Sequence, residues 1–251
     1  MMLTLEQLVS QVRFPTHRDR DFFIRVYQTP RDVYATRLRA IGFEGCDSVL
    51  DAACGFGQWA VTLASINDRV QAFDLSPLRV AALKSIAAAE GVNNLHVCRS
   101  TLDVLPYRDG AFDAVFCYGA VFFTDYRRTF AEFARVLRPG GRLYFTANDL
   151  GWYIYNLIAA HKPSRDFSPR RMAMRALVNT ARFAAGRHSP GDEIAMSAAD
   201  ARRSLDRAGF KVVGIAGDGE LAVGSKAKGR SFFVSHHYGL RAVFEVLCEK
   251  R

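Results

Sequence analysis

Residues 49–60 of this chain read VLDAACGFGQWA, and they decide its fold. They begin with a short apolar run, typical of a buried strand, and end in residues with helical spacing. Between the two lie Gly55 and Gly57, which let a ligand approach the backbone closely at the turn from strand to helix. The stretch therefore predicts a ligand site at the end of the first strand of an α/β sheet.

The same alternation of strand and helix continues beyond this stretch. Strands are predicted at residues 48–51, 70–74, 95–98, 112–117 and 142–146. The helices between them cover residues 57–65, a segment from Ser76 to Gly91, and residues 126–137, which are followed by a Pro-Gly-Gly turn. Strand–helix alternation at this spacing predicts βαβ units and a parallel sheet of the doubly wound α/β class.

After residue 149 the pattern changes. Helices are predicted at residues 150–160, 169–186 and 197–208, and strands at 210–215 and 243–247. The long helical stretch between two strands predicts a cap or lid that binds the substrate. We therefore expect four regions: an N-terminal helical segment over the cleft (1–45), a cofactor-binding core (46–149), a helical cap inserted between strands five and six (150–209), and the final strands of the sheet (210–251).

Two acids at strand ends narrow the choice of ligand. Asp51 precedes the glycine loop, where a carboxylate would repel a pyrophosphate but suits a ligand with an ammonium and a sulfonium. Asp74 ends the second strand, where it can accept hydrogen bonds from both hydroxyls of a ribose. Because the glycine spacing also matches a dinucleotide fingerprint, an NAD-dependent oxidoreductase stays open on these residues alone.

Four segments in order over about a hundred residues resemble the class I S-adenosylmethionine-dependent methyltransferases. They are motif I around Asp51, the strand end FDLSP (73–77), the segment LPYRDGAFDAV (105–115) and the turn VLRPGGRL (136–143). The resemblance implies a Rossmann-like seven-stranded sheet with its last strand antiparallel. It also implies that S-adenosylmethionine lies over the carboxyl ends of the strands, as the cofactor of a methyltransferase.

The resemblance further implies which residues contact the cofactor. Thr101 stands where the family often has an acid for the adenine amino group, so this contact falls to its hydroxyl and to the amide of Leu102. Cys117 and Tyr118, just past the fourth strand, are expected to border the methionine part and the transferring methyl group. The full set is Asp51, Ala53, Gly55, Gly57, Asp74, Leu75, Thr101, Leu102, Cys117 and Tyr118.

The charge distribution gives an indication of the methyl acceptor. The net charge of +9 falls almost entirely in residues 151–251, which hold 17 Lys and Arg against 9 Asp and Glu, whereas residues 1–150 hold 17 against 16. On the helix predicted at 169–186, Arg171, Arg175 and Arg182 lie near one face. We expect Arg171 and Arg175, with Tyr27 from the N-terminal segment, to bind a small, anionic metabolite or glycan that is methylated on a hydroxyl or, less favoured, an amine.

Proton acceptors, metals and other partners are less clearly indicated. His236, His237 and His161 are the candidates for a general base, and no set of metal ligands is recognisable. The Asn/Asp-Pro-Pro-Tyr signature of many nucleic-acid methyltransferases is absent after the fourth strand, so a nucleic-acid partner is not expected. A protein that binds S-adenosylmethionine in a regulatory or non-catalytic role, and an RNA or nucleic-acid methyltransferase, are the alternatives.

Composition agrees with an ordinary globular protein. Hydrophobic residues make up 49% of the chain and charged residues 24%, as expected for a domain with a sizeable core. The five cysteines are odd in number and show no metal-binding spacing, so a disulfide framework is not expected. The N-terminus lacks the apolar core of a signal peptide and no stretch is long enough to span a membrane, so we expect a cytoplasmic protein.

Overall fold

The computed structural model describes residues 4–159, 167–224 and 228–251. Within these residues, seven strands form one sheet in the order β3-β2-β1-β4-β5-β9-β6. The strands are β1 (Val49–Ala52), β2 (Val70–Asp74), β3 (Leu95–Arg99), β4 (Phe112–Cys117), β5 (Leu137–Asn148), β6 (Phe210–Gly217) and β9 (Val243–Lys250). The first five pair in parallel, while β9 runs antiparallel to both β5 and β6. This confirms the predicted Rossmann-like, seven-stranded α/β sheet with its last strand antiparallel.

Helices cover both faces of the sheet. They are α1 (Leu5–Ser10), α2 (His17–Gln28), α3 (Arg31–Ala40), α4 (Gln58–Ala64), α5 (Pro77–Glu90), α6 (Tyr126–Val136), α7 (Leu150–Ile158), α8 (Pro169–Ala184) and α9 (Ala198–Arg207). One core cluster joins the first five helices to the sheet, and a second joins α6 and α9 to its other face. Neighbouring β1 residues Val49 and Leu50 belong to different clusters, because successive side chains of a strand point to opposite faces.

The strand order places the cleft. β1 lies between β2 and β4, so the chain leaves β1 towards one side of the sheet and returns later on the other. Ligands of open α/β sheets bind outside the carboxyl ends of the strands at such a switch point. The glycine loop after β1 lies at this position.

Three features of the fold differ from the sequence prediction. α2 was not predicted, although Thr16 caps it by accepting a hydrogen bond from the amide of Asp19 at 3.0 Å. β5 begins at Leu137 instead of residue 142, because Leu137 pairs with Phe112 before the register shifts. A short hairpin, β7 (His236–His237) and β8 (Leu240–Arg241), packs on α7.

In the described part of the stretch between β5 and β6, the helices are α7, α8 and α9. α7 and α8 pack on each other around Tyr153, Ala173 and Ala176. Among the described residues, no helix combines the length and the apolar character that a membrane crossing needs.

Candidate functional site

The loop from β1 to α4 is built on left-handed backbone. Ala53, Gly55 and Gly57 have φ values of 60°, 58° and 88°. A Cβ on Gly57 would lie 2.2 Å from a methyl carbon of Leu83 in α5, so a side chain there would collide with the next helix. A Cβ on Gly55 would meet nothing within 4 Å, so at this position only the backbone conformation favours glycine. The loop can therefore turn tightly and present its backbone to a ligand.

Asp74 at the end of β2 fixes this loop. Its Oδ2 accepts a hydrogen bond from the amide of Gly55 at 2.9 Å, and its Oδ1 accepts one from the amide of Ser76 at 2.9 Å. A carboxylate oxygen has two lone pairs, so each oxygen can accept one further hydrogen bond. Asp74 can thus hold the glycine loop and still accept the two hydroxyls of a ribose.

Asp51 carries the most unusual electrostatics of the cleft. Burial, together with the nearby Asp74, raises the pKa of Asp51 to about 8. Its Oδ2 is buried and has no hydrogen-bond partner, and the same is true of the Oε1 of Gln58 at the start of α4. A buried acceptor without a partner is costly, and a bound cationic donor removes that cost. Both atoms therefore fit a ligand that carries an ammonium, which S-adenosylmethionine does.

The remaining predicted cofactor contacts surround the same strand ends. Leu75, directly after Asp74, is 60% exposed, and Leu102 is buried, so both can offer an apolar surface to an adenine ring. Thr101 is exposed. Cys117 is buried at the end of β4, where burial raises the pKa of its thiol and keeps it protonated.

The hydroxyl of Tyr118 belongs to a buried charged cluster. It donates a hydrogen bond to Asp218 at 3.0 Å, and the guanidinium of Arg37 pairs with both Asp218 and Glu245. Arg37 is only 1% exposed and also donates to the hydroxyl of Tyr144 at 2.7 Å. Two carboxylates face one guanidinium, so the cluster ties α3 to the sheet and to the residues after β6.

Asp218 also binds the backbone of the segment around Phe232 and Phe233, which packs next to α3. Its Oδ2 accepts hydrogen bonds from the amides of Phe232 at 2.7 Å and Phe233 at 3.0 Å. Phe232 packs on Trp59 and on Tyr34, with ring centroids 6.0 and 5.5 Å apart. The helix after the glycine loop is therefore covered by α3 and by this returning segment.

Tyr27 lies with the glycine loop. Its hydroxyl donates a hydrogen bond to the carbonyl of Phe56 at 2.8 Å, and burial is the main cause that raises its pKa. Arg31, one turn further along the chain, pairs with Glu90 of α5 at 2.8 Å. The structure thus places Tyr27 beside the predicted cofactor loop, outside the residues that line the cavity with Arg171 and Arg175.

Arg171 and Arg175 line one cavity of about 560 Å³. It lies between α8, the residues after β4 around Phe123, and the segment 191–193. An adjoining cavity of about 360 Å³ is also lined by Arg175 and, in addition, by Arg182, which was predicted to lie near the same face of this helix. None of the three guanidinium groups forms an ion pair with an acid of the described residues.

Two of the three predicted histidine bases lie away from this cavity. His236 and His237 form β7, and the ring of His237 stacks on Tyr155 at 3.8 Å between centroids. Neither lines the cavity that holds Arg171. His161 falls outside the described residues. Within the part of the chain that the structure describes, no group of three His, Cys, Asp or Glu side chains could hold a metal ion.

Comparison with known proteins identifies the class of this core. Residues 49–141 match the family model described as "Methyltransferase domain". An uncharacterised protein of Mycobacterium tuberculosis is 32% identical over 133 residues, 51% of this chain and 47% of that protein. The demethylmenaquinone methyltransferase of Thermus thermophilus is 38% identical over 98 residues, 38% of this chain and 44% of that enzyme.

A solved structure extends the similarity of the fold to nearly the whole chain. The geranyl diphosphate C-methyltransferase of Streptomyces coelicolor, solved with S-adenosyl-L-homocysteine, superposes with a TM-score of 0.63 at 16% identity. The match covers 96% of this chain and 86% of that enzyme.

The match over residues 49–141 and the order of the sheet are those of a class I S-adenosylmethionine-dependent methyltransferase domain. The chain spans about half the length of the curated relatives it matches.

The roles of three residues of this region were not predicted from the sequence. Gln58 directly follows the last loop glycine, and its position at the first turn of a helix could have indicated it. Arg37 carried no such signal, because its helix is basic and its partners are more than 80 residues away. Glu193 lies in a segment without helix or strand, and only the tertiary structure brings it to the cavity.

Proposed function

We propose that this chain transfers the methyl group of S-adenosylmethionine to a hydroxyl, or less favoured an amine, of a small anionic metabolite or glycan. The sulfonium of the bound cofactor supplies an activated methyl carbon. The protein must align the acceptor oxygen with that carbon and exclude water, which is mainly a task of positioning. On this proposal, Asp51 and Gln58 hold the ammonium and Asp74 holds the ribose.

One observation carries the choice of acceptor: the cavity that contains Arg171 and Arg175. It opens beside the residues that follow β4, at the same edge of the sheet as the glycine loop. Guanidinium groups suit carboxylates and phosphates because they donate two parallel hydrogen bonds. The structurally similar geranyl diphosphate C-methyltransferase supports this choice, since the acceptor in its name carries a diphosphate.

The test is a transfer assay with methyl-labelled S-adenosylmethionine. The probes are 4-hydroxybenzoate, 3,4-dihydroxybenzoate and 4-hydroxybutyrate, each compared with its neutral amide. We expect labelled product from at least one carboxylate and a weaker response from its amide. Mass spectrometry of the product identifies whether oxygen, nitrogen or carbon received the methyl group.

Arginine variants test the binding site. Because a hydrogen bond to a charged group contributes about 1.5–3 kcal/mol, R171Q or R175Q should raise the KM of the carboxylate roughly 10- to 100-fold. R170Q is the matched control, because Arg170 lies in the same helix but lines neither cavity. A KM for the R171Q and R175Q variants equal to that of R170Q contradicts an anionic acceptor at this site.

The same experiments address the alternatives. Binding of S-adenosylmethionine with no transfer to any probe favours a non-catalytic role. RNA binding that weakens steeply with salt favours a nucleic-acid acceptor, since phosphate contacts release counterions.

A further inference from the structure

Glu193 lies at the edge of the sheet where β4 and β5 end. The amide of the next residue, Ile194, donates to the carbonyl of Phe122 at 2.9 Å. The amide of Met196 donates to the carbonyl of Asn148 at 2.9 Å. These bonds fasten the segment across the ends of both strands, and Glu193 lines the cavity that contains Arg171.

The carboxylate of Glu193 is held in place by a hydrogen bond from α7. The hydroxyl of Tyr153 in α7 donates a hydrogen bond to its Oε1 at 3.1 Å and lies 3.2 Å from the carbonyl of Ile194. Burial raises the pKa of Glu193, although Tyr153, Asn148 and the charge of Arg18 act in the opposite direction. A carboxylate with a raised pKa is a stronger base at neutral pH than an exposed glutamate.

Few other charged groups of the described residues lie around Glu193. Arg171, Arg175 and Asp192 line the same cavity, and Arg18 approaches from α2. The side chains of Asn148 and Tyr153, on β5 and α7, are neutral at the pH of interest. An acceptor anion bound between the two arginines would therefore lie beside a half-buried carboxylate that the cofactor site does not use.

We propose that Glu193 is the general base that accepts the proton of the acceptor hydroxyl, with Tyr153 as its positioning residue. This inference rests on the function proposed above. The acceptor oxygen forms a bond to the methyl carbon, the bond from that carbon to sulfur breaks, and S-adenosylhomocysteine leaves. The proton of the hydroxyl passes to an Oε atom of Glu193 and then to water.

The kinetic test compares E193Q with D192N, since both acids line the cavity. With 4-hydroxybenzoate or whichever probe is methylated, E193Q should lower kcat about 10²- to 10⁴-fold, the usual contribution of a general base. The affinity for S-adenosylmethionine, measured calorimetrically, should stay unchanged. A large loss of kcat in D192N but not in E193Q means that Asp192, and not Glu193, accepts the proton. That result overturns the proposal.

A second readout does not depend on turnover. In protein labelled with ¹³C-glutamate, the carboxyl resonance that disappears in E193Q should titrate above the ordinary glutamate value of about 4.3. Its midpoint should match the acidic limb of the kcat/KM profile for the acceptor, measured at saturating S-adenosylmethionine so that Asp51 stays ionised. Y153F removes a hydrogen bond that lowers this pKa, so both the resonance and the limb should move to higher pH together.

The outcomes separate the two proposals. A wild-type protein that methylates none of the probes overturns the proposed function and this inference with it. Wild-type turnover with an E193Q variant that keeps its kcat and its acidic limb overturns the role of Glu193 alone. If E193Q does not fold, E193D identifies the resonance, because it also removes that signal from a spectrum labelled only in glutamate. Y153F then decides, since an acidic limb that stays in place while the Glu193 resonance moves refutes the assignment.

Discussion

The pKa of Asp51 predicts that cofactor binding depends on pH. In the free protein the buried carboxyl has a pKa of about 8, so it is mostly protonated at neutral pH. The ammonium of S-adenosylmethionine needs the ionised form of this carboxyl. Binding must therefore release the proton of Asp51, and acid must oppose binding.

The size of the effect follows from that pKa. Well below it, the ionised fraction of Asp51 changes tenfold with each pH unit, equivalent to about 1.4 kcal/mol. Between about pH 5.5 and 7, where the amino group of the cofactor stays protonated, the affinity should rise nearly tenfold per unit. D51N cannot ionise, so its affinity should be weaker and should not show this slope.

Calorimetry measures both consequences. Dissociation constants for S-adenosylmethionine are determined across this range for the wild type and for D51N, which corrects for other titrating groups. Titrations in two buffers with different heats of ionisation count the protons released. We expect close to one proton per cofactor at about pH 6.5 for the wild type, and none from this site in D51N.

The stability of the cofactor-free protein provides an independent measurement. Unfolded Asp51 has a pKa near 3.9 and the folded value is higher, so between the two values the folded state holds the extra proton. Stability therefore falls as the pH rises from about 4 to 8, by up to about 1.4 kcal/mol per unit. Urea unfolding should show this slope in the wild type but not in D51N. Equal slopes for the two proteins, with equal proton release, refute the assigned role of Asp51.

Two further substitutions test the scaffold. G57A adds a Cβ 2.2 Å from Leu83 at a φ of 88°, whereas G45A adds one at a φ of 72° with nothing within 4 Å. The G45A variant should lose about 1–2 kcal/mol of unfolding free energy and G57A more, together with its cofactor binding; equal losses contradict the close approach. R37M leaves two buried carboxylates without their cation and should cost about 3–5 kcal/mol in urea unfolding. Its control is R39M, which breaks an exposed pair and should cost about 0–1 kcal/mol; values for R37M within that range contradict the importance of the cluster.

The five parallel strands were predictable because their signal is local. Each is a short apolar run bounded by a turn, and the strand ends fall within a few residues of the predicted ones, apart from the start of β5. The structure differs from the prediction where pairing with a distant strand decides the bounds of a strand. Leu137 becomes part of β5 only because Phe112 lies opposite it, and nothing in the Pro-Gly-Gly sequence announces that partner.

The residues around the predicted cofactor position were also largely predictable from the sequence. Asp51, the glycines and Asp74 lie at strand ends, and parallel strands bring their carboxyl ends to one edge of the sheet. The residues around the proposed acceptor position were not predictable in this way. Tyr27 was expected near Arg171, but its hydroxyl binds the carbonyl of Phe56. His236 and His237 do not line the cavity and His161 lies outside the described residues, whereas Glu193, which no pattern marked, lines it.

By itself, the sequence determined the α/β class, the parallel strands of the core and the ligand chemistry of the glycine loop. These depend on periodicity and on residues close together along the chain. Only the tertiary structure decided that Arg37 is buried between Asp218 and Glu245, and that Glu193 faces a cavity with Arg171. Such contacts join residues far apart in sequence, and burial, which sets the charge state of each group, arises only when the chain has packed.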